Sequence, residues 1–224
     1  MSAKNKNKIA FQGQPGAYSD LACRTAYPKM ETLPCPGFED AFEAVRTGRA
    51  RLAMIPIENS VAGRVAEPHQ LIPHAELHII GEHFQRVEHH LLAVPGATLK
   101  TLKTVQSHVQ ALDQCRKSTK ALGLRRVVGA DTAGSAAEIA KAGDPTRAAI
   151  ASELAGQIYK LKSLKRNIED AEHNTTRFLV LSREAFDPDP RRGKVITSFV
   201  FRVRNVPAAL YKAMGGFATN GVNM

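Results

Sequence analysis

A strand-and-helix alternation that runs, breaks and starts again constrains this 224-residue chain more than any other feature. Short apolar runs alternate with stretches of helical period: a strand at 8–11, a helix near 17–27, an amphipathic helix at 38–47 with Phe42 and Val45 facing inward, and a strand at 51–57. That rhythm lays helices on a mostly parallel sheet. Residues 77–94 interrupt it with two extended stretches broken around 84–87. The alternation then resumes, with strands near 104–106, 126–128 and 148–151 and helices at 110–122, 135–142 and 153–161. A last strand, 178–182, closes the series. A restarted rhythm predicts a second lobe, and a strand after it predicts a return to the first. The expectation is an α/β chain of two lobes joined by two crossing segments, with a ligand cleft between them.

The chain is 43% hydrophobic, enough for a substantial core. Residues 1–10 read as a short basic and polar leader without a signal-peptide apolar stretch, and no apolar run approaches the ~18 residues of a membrane span. The expectation is a cytoplasmic protein. Cys23, Cys35 and Cys115 are odd in number and widely spaced, matching neither a disulfide framework nor zinc ligation. The histidines lack metal-binding spacing, so neither metal nor cofactor is expected. A net charge of +10 suits polyanions or a small dianionic substrate equally. The basic residues are scattered over helices instead of forming a stripe with aromatics, which argues against nucleic acid.

Several candidate sites fall at strand ends. In HNTTRFLV, Thr175, Thr176 and Arg177 stand immediately before an apolar strand. Ligands of open α/β sheets sit beyond the carboxyl ends of the parallel strands, so the beginning of an antiparallel returning strand would face the same cleft. FQGQPGAYSD at 11–20 is either an anion cradle or an ordinary strand-to-helix turn. In IPIENSVAG, Glu58, Asn59 and Ser60 project from a strand end, or cap a helix behind it. In QSHVQALDQC, Ser107 is placed as a cap, and Gln110 and Gln114 lie one helical turn apart. In ADTAGSAAEIA, Asp131 or Thr132 reads as an N-cap. Beyond a Pro/Asp/Arg-rich linker, ITSFVFRVRN alternates like a half-buried antiparallel strand, and PAALYKAMGGFATNG starts as a helix with Pro207 in its first turn. This tail is expected to be the front of a second domain whose remainder lies outside the chain.

The blocks FQGQPGAYS, PIENS, SHVQALDQC, DTAGSAAEIA and NIEDAEHNTTRFLVL, in that order, resemble prephenate dehydratase. FVFRVRNVPAALYKAMGGFATNGVNM resembles the opening of the ACT regulatory domain that comes after it in that family. The resemblance implies a two-lobed, periplasmic-binding-protein-like (type II) catalytic region at 8–183, with lobe 1 about 8–84 plus 178–183 and lobe 2 about 85–177. A linker at 184–194 and a partial ferredoxin-like ACT domain at 195–224 would come next. It implies cofactor-free conversion of prephenate to phenylpyruvate, water and carbon dioxide in phenylalanine biosynthesis. Arogenate is the rival substrate, and a non-catalytic small-anion-binding module is the rival class. Carried over residue by residue, Thr176 is the essential threonine, Glu58 and Asn59 the cleft pair, and Ser107 and Gln114 the polar pair of the second lobe. Thr175 and Arg177 flank the substrate, Arg177 as a carboxylate partner or as an ion pair across the hinge. Val109 stands where the family often has proline. In the ACT segment Asn205, Ala208, Ala209 and Leu210 would meet phenylalanine as allosteric effector, and the family's later Glu-Ser-Arg-Pro element is absent. A homo-oligomer, dimer or tetramer, is implied.

Overall fold

The computed structural model describes residues 7–199 and 201–223, apart from the side chain of Arg192. The leader reading of residues 1–6 and the expected strand position at Val200 therefore lie outside the described residues. Two compact units are present, one ending at Asp187 and one starting at Pro188.

In the first unit the elements run β1 (Lys8–Gln12), α1 (Tyr18–Ala26), β2 (Glu31–Cys35), α2 (Phe38–Arg46), β3 (Leu52–Asn59), β4 (Gly63–Arg64), α3 (Ala66–Leu71) and β5 (His78–Arg86). Next come β6 (His90–Ala93), β7 (Thr104–Ser107), α4 (Val109–Gln114), α5 (Arg116–Ala121), β8 (Arg125–Val128), α6 (Thr132–Ala142), β9 (Arg147–Ala151), α7 (Glu153–Ile158), β10 (Lys162–Lys165) and β11 (Thr175–Ser182). One sheet has the order β2-β1-β3-β11-β5, with β4 attached to β3; the other has the order β10-β6-β9-β7-β8. This is the two-lobed α/β arrangement expected from the sequence. Each lobe is a mostly parallel sheet with an antiparallel strand contributed from across the crossing segments, β11 between β3 and β5 and β6 between β9 and β10; the short β4 also runs antiparallel to β3.

The strands are apolar because both faces of each sheet are covered. On one face of the first sheet, Ile9, Phe11, Met54, Phe178 and Val180 pack with Ala22 and Cys23 of α1. On the other, Ala10, Ala53, Ile55, Leu179 and Leu181 pack with Ala41, Phe42, Ala44 and Val45 of α2. The alternation of Phe178 and Val180 with Leu179 and Leu181 is the two-residue period of a strand buried on both sides. A second core joins Leu91, Leu92, Val105, Leu112, Ile139 and Ile150 in the other lobe.

The structure departs from the sequence reading in particular places. Strands β2 and β10 are additions to the expected set; ETLPC and KSLK are polar because both lie at sheet edges and need only one apolar side. The helix expected at 110–122 is broken at Cys115, whose backbone (φ −117, ψ 27) ends α4 and starts α5. Pairing of Thr175 with Arg86, Thr176 with Gln85 and Arg177 with Phe84 continues the first sheet, so residues 85–86 and 175–177 belong with lobe 1, not lobe 2.

The second unit holds α8 (Ala209–Thr219), entered through Ala208 in a left-handed conformation (φ 60). Phe199, Phe201 and Phe217 form a ring cluster with centroids 5.7–6.4 Å apart. The alternating strand expected near 196–205 is absent among the described residues, because a strand exists only where a neighbour completes its ladder and none does here. Asn205, Ala208 and Leu210 sit at the approach to and first turn of α8.

Candidate active site

Where β1 and β3 end, β11 begins and the second lobe presents α4 and α6, a cleft of about 400 Å3 opens. Its walls include Gln12, Asn59, Arg64, His89, Gln114, Asp131 and Thr176. Parallel strands from both lobes point their carboxyl ends at it, and β11, running the other way, points its beginning.

Which side chains reach the cleft is decided by a β-bulge. The β3–β11 ladder pairs Phe178 with Pro56 but Arg177 with Glu58 and Thr176 with Asn59, so β3 carries one extra residue at this point. Without the shift, Thr176 would face Glu58. With it, Asn59 shares a face with Pro56 and stands opposite Thr176, while Ile57 turns into the core with Leu179. Pro56, which has no N–H for a ladder, is tolerated beside the bulge.

Asn59 is held by its own turn. Its Oδ1 accepts from the backbone N–H groups of Val61 (3.0 Å) and Ala62 (2.7 Å). That assigns the amide, and Nδ2 then donates to Thr176 Oγ1 (2.9 Å) and to Asn174 Oδ1 (2.7 Å). Asn174 Nδ2 donates to Gln114 Oε1 (2.9 Å), and His89 Nε2 donates to the same oxygen (2.9 Å). The Tyr18 hydroxyl lies 2.8 Å from both His89 Nδ1 and the Glu88 carbonyl oxygen and shares its one proton between these two acceptors. A continuous hydrogen-bonded line therefore runs from α1 through both crossing segments to the first turn of β11. Burial pushes the His89 imidazole below its ordinary value, against an opposing contribution from Gln114, and pushes the Tyr18 phenol well up. The imidazole is neutral near pH 7, with the proton on Nε2.

Thr176 Oγ1 thus receives a hydrogen bond from Asn59, and its own hydroxyl proton has no partner among the described residues. The residue lines the cleft. Gln114 likewise uses only Oε1, leaving its amide donors to the cleft.

Of the residues nominated from the sequence, Thr176, Asn59 and Gln114 come together through Asn174. The others do not join them. Arg177 alternates to the far face of β11, pairs with Glu82 (2.8 Å) and lies 6.0 Å over the Phe84 ring; this ion pair lies within the first sheet and not across the hinge. Glu58 is exposed on the far side of the bulge and is not among the residues that line the cleft. Thr175 also faces away; its N–H donates to Ser60 Oγ (3.0 Å), which donates to the His173 carbonyl oxygen (2.6 Å) and clamps the second crossing segment. Ser107 is fully buried and donates to the Ile150 carbonyl oxygen (2.6 Å), tying β7 to β9 instead of capping α4; His108 takes that place. Asp131 caps α6 through Gly134 N–H (2.7 Å).

The GQPG loop is an interlobe strut. Ser152 Oγ donates to the Gly16 carbonyl oxygen (2.6 Å) and the Tyr159 hydroxyl to that of Pro15 (2.9 Å), while Gly16 N–H donates to Asp20 (2.9 Å). Gly16 has φ +90, and a Cβ there would lie 2.7 Å from Ala155 Cα. Sequence reasoning missed Tyr18, His89 and Asn174. Asn174 directly precedes the Thr-Thr-Arg block and His89 precedes the apolar 90–93 run, but nothing local in either shows that they meet.

The sequence profile of the prephenate dehydratase family (PDT) matches residues 9–186. The chain belongs to the prephenate dehydratase family. A bifunctional N-acyl-homoserine lactone acylase/prephenate dehydratase of Komagataeibacter europaeus is 52% identical over 96% of this chain and 77% of its own length. The arogenate dehydratase/prephenate dehydratase 1, chloroplastic, of Arabidopsis thaliana is 43% identical over 98% of this chain, which spans 56% of that relative. Among solved structures, prephenate dehydratase from Arthrobacter aurescens in complex with L-Phe superposes with a TM-score of 0.83 at 30% identity, covering 96% of this chain and 73% of that one. No described helix is long and apolar enough to cross a membrane.

Proposed function

We propose that this chain catalyses the decarboxylating dehydration of prephenate to phenylpyruvate, water and carbon dioxide, as a step toward phenylalanine, with Thr176 as its catalytic residue. The observation that carries this reading is the Thr176 hydroxyl at the cleft wall, its oxygen accepting from Asn59 and its proton bonded to none of the described residues.

In the reaction the bond between the ring carbon and its carboxylate breaks. Its electron pair enters the ring, the opposite carbon–oxygen bond breaks, and hydroxide leaves with a proton taken up from water. Aromatisation drives the sum, so the barrier lies in hydroxide departure. Thr176 is too weak an acid to protonate the leaving group outright; it donates a hydrogen bond that strengthens as charge develops on the departing oxygen. Donation from Asn59 to Oγ1 polarises the hydroxyl and makes it a better donor. Gln114 amide donors orient the substrate, so that the breaking carbon–carbon bond overlaps the ring π system.

Hydrolysis of an acyl amide by Thr176, the activity named beside dehydratase in the Komagataeibacter relative, finds no support in this geometry. A threonine nucleophile needs a base on its hydroxyl, and Thr176 Oγ1 is bonded to an amide N–H. Arogenate, with an amino group in place of the side-chain ketone, is the second substrate reading, favoured by the Arabidopsis relative's double name. Incubation with prephenate and with arogenate, and identification of phenylpyruvate or phenylalanine as product, tests both; conversion of neither would overturn the assignment.

The unit from Pro188 is read as the start of an ACT-type regulatory domain, with Asn205, Ala208, Ala209 and Leu210 as phenylalanine contacts in a cytoplasmic homo-oligomer. The solved relative in complex with L-Phe supports a phenylalanine site in the family. A rise in melting temperature on adding phenylalanine, lost on Leu210→Ala, is the expected result.

A further inference from the structure

Resting on the reading of the cleft as a site for a dicarboxylate, we propose that the first turn of α1 seats the substrate's side-chain carboxylate, the one that survives in the product, on the Ser19 hydroxyl and the backbone N–H groups of Tyr18 and Ser19. Tyr18 and Ser19 both line the cleft. α1 has no side-chain cap: Ala17 stands at its N-cap (φ −62, ψ 161), and the N–H groups of Tyr18 and Ser19 meet no acceptor among the described residues. Ser, Thr, Asp or Asn in that place would close the helix start on itself. Alanine leaves it open, with the partial positive charge of the helix behind it.

The Ser19 side chain is a second, separate pointer to a ligand. Ser19 is only 9% exposed, and its hydroxyl bonds to none of the described residues. No side-chain oxygen or nitrogen shut away from solvent lacks a partner among them, so this hydroxyl is reached from the cleft that Ser19 borders. Two periods agree on where it stands. Ala22 and Cys23, one turn further along α1, pack with Phe178 and Val180, so Ser19 continues the inward face of the helix at its cleft end. Thr176, two residues before Phe178, continues the same face of β11 at the same end.

The loop before the helix is already used. Its carbonyl oxygens at Pro15 and Gly16 accept from Tyr159 and Ser152, and Gly16 N–H donates to Asp20 (2.9 Å), whose carboxylate also accepts from Arg24 (2.9 Å). The charge of Asp20 is therefore matched within α1. Arg177 belongs to Glu82, and Arg64 stands opposite Glu58 in the β3–β4 ladder, on the face away from Thr176. A carboxylate at the helix start is met by neutral donors fixed in place. Tyr18, whose hydroxyl lies between His89 Nδ1 and the Glu88 carbonyl oxygen, holds that start to the line that ends at Thr176.

Chemistry selects which carboxylate. The ring carboxylate loses its charge as carbon dioxide forms, so donors paired with it would stabilise the ground state more than the transition state and slow the reaction. The side-chain carboxylate keeps its charge throughout. Donors on it aid binding of substrate and product alike, whether the neighbouring group is a ketone or an amine.

The test measures kcat and KM for prephenate and arogenate, calorimetric binding of phenylpyruvate, and melting temperature, in the full chain and in its Ser19→Ala and Ala17→Ser variants. In Ser19→Ala, KM and the phenylpyruvate dissociation constant should rise together by about tenfold, with kcat changed less than about threefold. In Ala17→Ser the added hydroxyl oxygen accepts from the first-turn N–H groups. The melting temperature should then rise while phenylpyruvate binds more weakly, a divergence that a merely structural role would not give. Unchanged phenylpyruvate binding in either variant overturns the proposal, as does a fall in kcat at constant KM. If the unaltered chain converts neither acid yet binds phenylpyruvate in a Ser19-dependent way, the dehydratase reading fails and the carboxylate seat stands.

Discussion

Thr176 and Asn59 face each other across the β3–β11 ladder, the hydroxyl oxygen of one accepting a 2.9 Å hydrogen bond from the amide of the other. Replacing Thr176 with Ala removes a donor aimed at developing charge, typically worth ~3–4 kcal/mol in the transition state. The expected loss in kcat is about a hundredfold or more, with Thr176→Ser retaining most of the rate and both variants keeping the wild-type far-ultraviolet dichroism. An Ala variant as active as the parent would remove Thr176 from its role.

Asn59→Asp puts acceptor oxygens where Nδ2 now donates to Asn174 and Thr176. Asn174 Oδ1 then faces a half-buried carboxylate and the Thr176 hydroxyl must turn its proton onto it, at a stability cost on the order of 2–3 kcal/mol. Urea unfolding should show a lower midpoint for Asn59→Asp, and turnover should fall with it because the Thr176 oxygen loses its donor. Equal midpoints would contradict the network.

Burial lowers the imidazole of His89, and that of His90 beside it. A histidine whose folded value lies below its unfolded one binds fewer protons when folded, so stability rises with pH through this range and is lost as pH falls below the ordinary value near 6.5. The unfolding free energy measured between pH 7.5 and about 5 should decline. In His89→Gln the decline should be shallower; an identical slope would show that His89 is not held neutral by the fold.

Gly16→Ala meets two obstacles, the positive φ and the Ala155 backbone at 2.7 Å. Left-handed strain of ~1–2 kcal/mol and overpacking of ~1–3 kcal/mol together predict a loss of about 2–5 kcal/mol. Gly96→Ala shares a positive φ (+91) but has open space around it, and should cost only the strain. Melting temperatures of the two variants decide whether interlobe contact at Gly16 adds to the conformational penalty.

Arg177→Leu should leave KM for the substrate within about twofold, since its guanidinium belongs to Glu82 and Phe84 and not to the cleft. The pair is partly exposed, so its loss should cost under about 1 kcal/mol of stability. A tenfold rise in KM would return Arg177 to the substrate.

How far the sequence could be read depends on where each signal is stored. The two α/β lobes were legible because buried parallel strands leave continuous apolar runs, and the last run, after the second lobe, announced the return of β11. The edge strands β2 and β10 were not, because half-covered strands carry weaker patterns. Thr176 could be placed at the cleft by direction alone: an antiparallel strand presents its start where parallel neighbours present their ends. Strand alternation then separates Thr176 from Thr175 and Arg177, although the sequence sets all of them side by side.

What the sequence by itself determined is the layer architecture and the family, since apolar period and the ordered polar blocks are local and additive along the chain. Only the tertiary structure decided that Asn59 and not Glu58 stands beside Thr176, because a single extra residue in β3 reverses the facing of every later position in that strand and leaves no compositional trace. It also decided that Tyr18, His89 and Asn174 join Gln114 to the threonine. Their hydrogen bonds close between segments far apart in the chain, and nothing in the residues on either side of each one encodes the partner it meets.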